Sequence, residues 1–300
     1  MKRILFLVNK IGKANSSTVK YLHKRLWPSA SAEIVSYSEV EIYLKQGRAE
    51  VLVGGEDIQK FDLVYFRKGD HSSANLASSM ALIFETLNVK YFDTTYKNVG
   101  PWASKLTNLV RLAVKGLPVI PSYYCDTNHV LKNANKIAEL FAFPIIAKDL
   151  ILQHMKGVFF LKTKEDIKQL VTKFPNVKFL FQKFVPIQEE YRVLVLRGNV
   201  AIVEKRVERN FSFKIDYMDH FADSVFVSPE SVSSETNEIS KAASRELNLE
   251  ISGVDIIVEK DTKKIWLVEV NRGPGFRDYQ HSSPEYDELA LFLKKELKIN

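Results

Sequence analysis

The residues best suited to chemistry lie in a hairpin over residues 251–276, ISGVDIIVEKDTKKIWLVEVNRGPGF. Two strand-like runs flank the turn EKDTKK, and a turn centred on Thr262 places Asp255 directly opposite Glu269. Side chains alternate along a strand, so Asn271 shares their face. Two facing carboxylates repel unless a positive group lies between them, and the added amide oxygen makes an all-oxygen cluster suited to Mg²⁺. The alternative is a solvent-facing hairpin with screened charges, or one carboxylate paired with a lysine.

The opposite face of this hairpin is apolar, which predicts the side that packs on the core. Its members are Val254, Ile256, Val258, Trp266, Val268 and Val270. After the second strand, Gly273-Pro274-Gly275 predicts a rigid turn with exposed backbone N–H groups, which can hold a substrate carboxylate. The alternative is simply a tight turn.

A second hairpin, EEYRVLVLRGNVAIVEKR, brings cations together. With the turn at Gly198-Asn199, Arg192 pairs with Lys205, and Glu190 shares their face. Two facing cations favour an anion bound between them, although both can instead extend into water. Arg206 is one residue out of phase, so it joins this face only if a bulge shifts the register.

A third candidate is the stretch FPIIAKDLILQHMKGVFFLKT, residues 143–163. A strand-like run ends at Lys148, and a second one begins after Gly157, which predicts a strand, a loop and a strand. A loop that binds phosphate usually carries several glycines, because backbone N–H groups must approach the anion closely. This loop has only Gly157, so the pattern alone leaves both a phosphate-binding loop and an ordinary hairpin open.

The composition predicts a folded globular chain of two or three domains, with 300 residues, 46% of them hydrophobic. The single cysteine, Cys125, excludes an internal disulfide framework and is typical of the reducing cytoplasm. The apolar run Ile4–Val8 is too short for a signal sequence, and no run is long enough to span a membrane. The net charge of +7 comes from scattered lysines, which favours an ordinary surface over a nucleic-acid-binding module.

Strands alternate with helices up to about residue 97, which predicts a mainly parallel α/β domain. Helical spacing predicts helices over residues 17–26, 73–87, 103–115, 128–141 and 164–173, and hairpins dominate the last third. The fold class is therefore α/β (α+β). We place three domains at 1–97, 98–178 and 179–300.

Six motifs occur in a consistent order: SKLTNLVRLAVKGLPVIP, FPIIAK with GV nine residues after the lysine, FQKFVP, EEYRVLVLRGNVAIVEKR, GVDII and LVEVNRGPGF. Together they resemble the ATP-grasp superfamily of carboxylate–amine ligases, and most of all the subgroup that contains the ribosomal-protein glutamate ligases. The likeness covers residues 62–276. It implies a two-part ATP-grasp fold behind the N-terminal domain.

The resemblance also implies roles for individual residues. ATP would be bound by Lys105, Lys148, Lys156, Gln182, Lys183, Phe184, Val185 and Glu190, with the first three at the phosphates, the next four at the adenine and the last at the ribose. The γ-phosphate and acyl-phosphate region would face Arg192 together with Lys205 or Arg206, and Arg272 is a further catalytic candidate. One or two Mg²⁺ ions, with Mn²⁺ a possible substitute, would be held by Asp255, Glu269 and Asn271.

Two departures from the family pattern concern the phosphate loop and the substrate. Larger residues, including Leu152 and Met155, stand where glycine is usual, so Gln153, His154 and Lys156 would supply side-chain donors instead. D-alanine–D-alanine ligase carries an arginine two residues before the first metal carboxylate, where this chain has Gly253. In that ligase the arginine helps to stabilise the oxyanion, and here Arg272 or Arg192 would do so instead.

The function implied is an ATP- and Mg²⁺-dependent carboxylate–amine ligase that works through an acyl phosphate and joins small-molecule or peptide substrates. The alternative is a degenerate nucleotide-binding regulatory or scaffold protein. We expect a cytoplasmic protein without membrane or nucleic-acid partners, and homo-oligomerisation stays open. Arg67, Lys68 and His71 are the N-terminal candidates for lining the substrate cleft.

Overall fold

A computed structural model of the chain describes residues 1–45, 48–68, 71–99, 105–125, 127–150, 157–206, 224–276 and 283–299. The N-terminal elements are β1 (Lys2–Val8), α1 (Lys13–Leu26), β2 (Ala30–Ser36), β3 (Val40–Lys45), β4 (Arg48–Val53), β5 (Glu56–Asp57), β6 (Leu63–Lys68), α2 (His71–Leu87), β7 (Tyr91–Phe92) and α3 (Tyr96–Val99). The central elements are α4 (Lys105–Val114), β8 (Ser122–Tyr124), α5 (Thr127–Phe141), β9 (Ile145–Asp149), β10 (Val158–Leu161), α6 (Lys164–Lys173) and β11 (Phe179–Lys183). The C-terminal elements are β12 (Ile187–Leu196), β13 (Asn199–Arg206), β14 (Ser224–Val227), α7 (Ser234–Glu246), β15 (Ile251–Glu259), β16 (Ile265–Arg272) and α8 (Pro284–Leu297).

The N-terminal region is built on a parallel sheet with strand order β2-β1-β6-β7, which confirms the predicted parallel α/β organisation. The run Ile4–Val8 of β1 is fully buried at its centre, as expected for a strand covered on both faces. Helix α1 packs on one face through Val19, Leu22 and Leu26, which recur at helical spacing. Strands β3, β4 and β5 form a separate antiparallel sheet.

The central region has an antiparallel sheet with strand order β10-β9-β11-β8, and α5 and α6 pack with it around one apolar cluster. Strand β9 is an inner strand and carries Lys148. Helix α6 spans the predicted residues because the Thr163 hydroxyl accepts from the Asp166 N–H and the Asp166 carboxylate accepts from the Thr163 N–H. Strand β11 pairs with β9 along its whole length and so completes this sheet on the side of β8.

The C-terminal region has a five-stranded antiparallel sheet with order β14-β13-β12-β15-β16. One face packs against α7 through an apolar cluster that includes Val193, Val254 and Ile256. At one end of the other face, Leu194 and Ile251 pack with α1 and α8, so one cluster joins the N-terminal and C-terminal sheets. The rest of this second face carries the candidate site.

Two helices, α7 and α8, add to the hairpins that dominate the predicted last third. Both begin at recognisable start signals, Ser233 before α7 and Pro284 at the first position of α8. Among the described residues, no helix is long and apolar enough to cross a membrane.

Candidate functional site

The β15–β16 hairpin places Asp255 directly opposite Glu269, as predicted, and Asn271 lies opposite Gly253 on the next position of the same face. Nearer the turn the predicted register is wrong by one residue. A β-bulge at Val268 makes Ile256 pair with Leu267, because an extra residue in one strand shifts all later pairs.

The bulge moves two residues from the predicted core side to the face of the site. Trp266 is buried with Ile257 and Val185, and Val268 packs against them, whereas Leu267 joins Val254 in the cluster under α7. The site therefore gains an apolar wall beside its carboxylates.

The second hairpin turns at Arg197 and Gly198, both with positive φ, and not at Gly198-Asn199 as predicted. A bulge after Leu194 shifts the register once more. The predicted pairing of Arg192 with Lys205 is consequently wrong, because Arg192 lies opposite Glu204.

Lys205 lies opposite Tyr191, which belongs to the cluster under α7, so its side chain starts from the face away from the site. Its Nζ atom forms an ion pair of 2.6 Å with Glu189. Arg206 is in phase with the site and forms an ion pair with Glu190 directly across the ladder. These positions favour Arg206 over Lys205 as a cation of the site.

One row of charged residues crosses four strands of the sheet: Glu204, Arg192, Asp255 and Glu269. Arg192 donates from Nε to Oδ1 of Asp255 at 2.9 Å and from Nη2 to Oδ2 at 3.1 Å, a bidentate pair. The Asp255 charge raises the pKa of Arg192 above its ordinary value despite burial. Asn271 donates from Nδ2 to Oδ2 of Asp255 at 2.8 Å. Arg192 is thus the positive group that the facing carboxylates require.

Glu269 lines a cleft together with Lys105, Lys148, Leu180 and Val268, among others. Burial raises the pKa of Glu269. The positive charges of Lys105 and Lys148 oppose this rise, whereas the negative charge of Asp255 adds to it. Burial lowers the pKa of Lys148, and the charge of Lys105 lowers it further. The cleft therefore holds two cations next to a carboxylate, a setting that suits an anion carrying its own metal ion.

The donor set fits a magnesium ion that arrives with phosphate groups. The part of the chain that the structure describes contains no group of three or more His, Cys, Asp or Glu residues able to hold a metal. Asp255 and Glu269 supply two carboxylates, and because Nδ2 of Asn271 donates to Asp255, its amide oxygen stays available. Mg²⁺ in nucleotide sites is usually bound by one or two carboxylates together with substrate phosphates and water.

Gln182, Lys183, Phe184 and Val185 connect the central sheet to the C-terminal sheet, as their predicted hinge position requires. Gln182 is buried and donates from Nε2 to the Ser122 hydroxyl at 2.7 Å. The side chain of Val185 is buried beside the apolar wall.

The other two side chains of the hinge contact residues of neighbouring strands. Lys183 lies 3.6 Å from the Glu259 carboxylate and 6.0 Å from the Trp266 ring centroid. The Phe184 ring packs edge-on against Phe160 at 5.2 Å.

The two predicted strands on either side of the loop after Lys148 are confirmed, since β9 and β10 are antiparallel neighbours and the Asp149 N–H donates to the Gly157 carbonyl at 2.7 Å. Residues 151–156, including Lys156, lie outside the described residues, as do the side chains of Lys68 and His71.

The turn after β16 explains why residue 253 is glycine. A Cβ atom on Gly253 would lie 2.8 Å from Cβ of Pro274, so the turn Gly273–Gly275 occupies the space of a side chain there. Gly273 has φ +65°, and a Cβ on it would meet the Arg67 carbonyl oxygen at 2.0 Å. Arg272, beside this turn, is directed to the N-terminal region, where its Nε atom lies 3.9 Å from Oδ2 of Asp93.

Two residues of the site were missed from the sequence. Glu204 is buried in the charged row, but even a turn placed at Arg197-Gly198 would pair Arg192 with Val203, and only the bulge after Leu194 brings Glu204 opposite Arg192. Asp93 is buried beside Arg272, although nothing in its local sequence announces a contact with a strand so distant in the chain.

Comparison with known proteins agrees with this geometry. A curated relative, a probable alpha-L-glutamate ligase of Shewanella halifaxensis, is 24% identical over 284 residues, which make up 91% of this chain and 60% of the relative. The chain thus spans about 60% of the length of the curated relatives it matches. The ATP-grasp ligase PsnB, solved with a minimal precursor, Mg and ADP, superimposes with a TM-score of 0.67 at 17% identity over 97% of this chain and 98% of that one.

D-alanyl-alanine synthetase A from Vibrio cholerae superimposes with a TM-score of 0.68 at 14% identity and covers 98% of both chains. These two likenesses establish the ATP-grasp fold. The family model described as the RimK-like ATP-grasp domain matches residues 108–285, more than half of the chain. The chain therefore belongs to the RimK-like ATP-grasp family.

Proposed function

We propose that this protein is an ATP- and Mg²⁺-dependent carboxylate–amine ligase that forms a peptide or amide bond and releases ADP and phosphate. The observation that carries the proposal is the cleft in which Lys105 and Lys148 face Glu269 beside the Arg192–Asp255 pair. Cations that bind phosphates and carboxylates that bind a metal ion lie together there, on elements from both halves of the ATP-grasp fold.

In this mechanism a substrate carboxylate attacks the γ-phosphorus of ATP, which gives an acyl phosphate and ADP. The amine then attacks the acyl carbon, and phosphate leaves. Lys105 and Lys148 bind the phosphates and stabilise the charge that develops on them, while Arg192 orients Asp255 through the bidentate pair. The chain contributes mainly positioning and fixed charge.

Asp255, Glu269 and Asn271 would hold Mg²⁺, which would polarise the phosphoryl oxygens. The number of ions, one or two, and the acceptance of Mn²⁺ are part of this proposal. The apolar wall next to the hinge suits an adenine ring, whose edge Gln182 to Val185 would read through backbone groups. Glu190, held by Arg206, lies on the same face and would accept from the ribose hydroxyls.

The names of the relatives make L-glutamate the first amine to test, and both small-molecule and peptide carboxylates are candidates for the acid. We also propose the three-domain division with edges near 97 and 178, and a cytoplasmic location where ATP is abundant. Arg272 is a weaker candidate for substrate contact than Arg192, because its side chain is directed to Asp93.

The test is phosphate release from ATP with Mg²⁺ in pools of amino acids and small carboxylic acids, with mass spectrometry of the product. Calorimetry with a non-hydrolysable ATP analogue, with and without Mg²⁺, measures binding separately. We expect release in at least one pool and binding that Mg²⁺ strengthens. Binding without release in any pool, L-glutamate included, would contradict the ligase.

The bidentate Arg192–Asp255 pair favours one second candidate, a nucleotide-binding regulatory or scaffold protein without turnover. In that case Asp255 serves the arginine rather than a metal ion, and the glycine-poor loop after Lys148 no longer grips phosphate. Nucleotide affinity that ignores Mg²⁺ would support this candidate over the ligase.

A further inference from the structure

The turn that follows the metal-binding strand is gripped by the N-terminal sheet. We call residues 272–276 the post-strand segment. Arg67, at the end of β6, donates from Nη1 to the Pro274 carbonyl at 3.4 Å, and its guanidinium carbon lies 5.4 Å from the Phe276 ring centroid. The Arg67 backbone is so close to Gly273 that only glycine fits there.

Arg67 is unusual because it is a buried arginine whose contacts in the described residues are neutral groups. Its side chain is only 2% exposed. Within the described residues no carboxylate forms an ion pair with it, its second contact is the Thr18 hydroxyl at 3.4 Å, and its Nε atom has no hydrogen-bond partner. A buried guanidinium that serves neutral acceptors is costly, so retaining it implies that the position of those acceptors matters.

A second contact from the same sheet holds the start of the segment. Asp93, directly after β7, is 6% exposed and lies with Oδ2 3.9 Å from Nε of Arg272. Its other oxygen, Oδ1, accepts from the Thr95 N–H at 3.0 Å. The Arg272 guanidinium also lies 5.1 Å from the Tyr96 ring centroid.

The gripped segment touches the site directly. Pro274 occupies the space above Gly253. A Cβ atom on Gly253 would lie 2.8 Å from Cβ of Pro274 and 3.9 Å from Nε of Arg192, so the three residues are close neighbours. One residue before the segment, Asn271 donates to Asp255. A shift of the segment would therefore move the amide that orients Asp255 and release the space beside Arg192.

We propose that Arg67 and Asp93 are positioning residues: from the carboxyl edge of the N-terminal sheet they hold the post-strand segment against Gly253, and thereby fix Asn271 and Arg192 in the site. This inference rests on the proposed function only for its effect on nucleotide binding. The grip itself is a property of the fold and can be measured without any substrate.

The first measurement is hydrogen exchange of the backbone amides of residues 271–273, 275 and 276 in the full chain carrying Arg67→Gln, Arg67→Lys or Asp93→Asn. We expect exchange about 10-fold faster in Arg67→Gln and Asp93→Asn, with partial rescue in Arg67→Lys, which can still donate to the Pro274 carbonyl. Arg3→Gln is the matched control, because Arg3 lies on β1 of the same sheet but pairs with Glu33 and Glu56. Unchanged exchange at these amides, or an equal change in Arg3→Gln, would overturn the grip.

The second measurement is calorimetry with a non-hydrolysable ATP analogue. We expect Arg67→Gln to weaken the Mg²⁺-dependent part of the affinity about 10-fold and to leave the Mg²⁺-free affinity unchanged, since outer contacts of metal ligands typically contribute on that scale. A fall in both affinities, as a merely less stable protein would show, or a fall in neither, contradicts the positioning role. If Arg67→Gln does not fold, Asp93→Asn carries the same test. If the unaltered chain shows no effect of Mg²⁺, the proposed function fails and hydrogen exchange alone decides the grip.

Discussion

Replacing Glu269 by Gln separates the chemistry of the site from its stability. Glu269 lies in the cleft with Lys105 and Lys148, opposite Asp255. Gln keeps the size of the side chain and removes its charge. If Glu269 holds Mg²⁺, the variant loses turnover and loses most of the effect of Mg²⁺ on nucleotide affinity.

The effect on stability follows from the direction of the pKa. Burial raises the pKa of Glu269 above the ordinary value of 4.5 even though two lysines favour its charge. The folded state therefore binds the proton more tightly than the unfolded state, so the contribution to stability is complete below pH 4.5 and is lost as the pH rises through the raised pKa. Each unit of displacement corresponds to about 1.4 kcal/mol at neutral pH. Gln removes this loss, so the variant should be more stable than the unaltered chain at pH 7 and lose that advantage near pH 4.

Urea unfolding at several pH values measures the difference in the free energy of unfolding, and calorimetry with a non-hydrolysable ATP analogue measures the Mg²⁺ dependence. The reasoning is refuted if Glu269→Gln is less stable at pH 7 by more than about 1 kcal/mol, the scale of an ordinary single substitution. That result would make Glu269 a structural counter-ion of the lysines. Retained Mg²⁺ dependence would remove it from the metal site.

Three further substitutions test the geometry. Lys148→Ala should weaken nucleotide binding about 10–100-fold, the scale of a hydrogen bond to a charged group, and unchanged affinity in calorimetry would place Lys148 outside the site. Lys205→Ala should keep phosphate release within about twofold, because the ion pair of Lys205 with Glu189 is partly exposed and contributes only about 0–1 kcal/mol to stability. A larger loss of phosphate release would return Lys205 to the site. Gly253→Ala should lower the free energy of unfolding by about 1–3 kcal/mol in urea titrations, because its Cβ would collide with Pro274, and an equally stable variant would show that the turn yields easily.

The sequence predicted what depends on periodicity and failed where one inserted residue mattered. Asp255 and Glu269 were paired correctly because two errors cancelled: the pairs next to the turn lie one residue away from a register centred on Thr262, and the bulge at Val268 restores that register at this pair. The bulges at Val268 and after Leu194 leave the alternation of residue types almost unchanged, yet each shifts the register by one. The shift after Leu194 turns Lys205 to the face away from the site.

The two C-terminal helices show a different limit. Tyr286, Leu289, Ala290, Leu293 and Leu297 recur along α8 at helical spacing and are buried, so the pattern was present in the sequence. The contacts of Arg67 and Asp93 with the post-strand segment, by contrast, join residues about 200 positions apart. No local pattern encodes such a contact, because it depends on how the sheets pack.

The two sides of the cleft carry opposite charges and belong to different sheets. Lys148 stands on the central sheet and Glu269 on the C-terminal sheet, and a short connection links the end of β11 to the start of β12. Opposite charges on the two walls attract each other across the gap. Burial shifts the pKa of both Lys148 and Glu269, so water reaches neither charge freely. Salt screens such buried charges far less than exposed ones, so the attraction persists at physiological ionic strength.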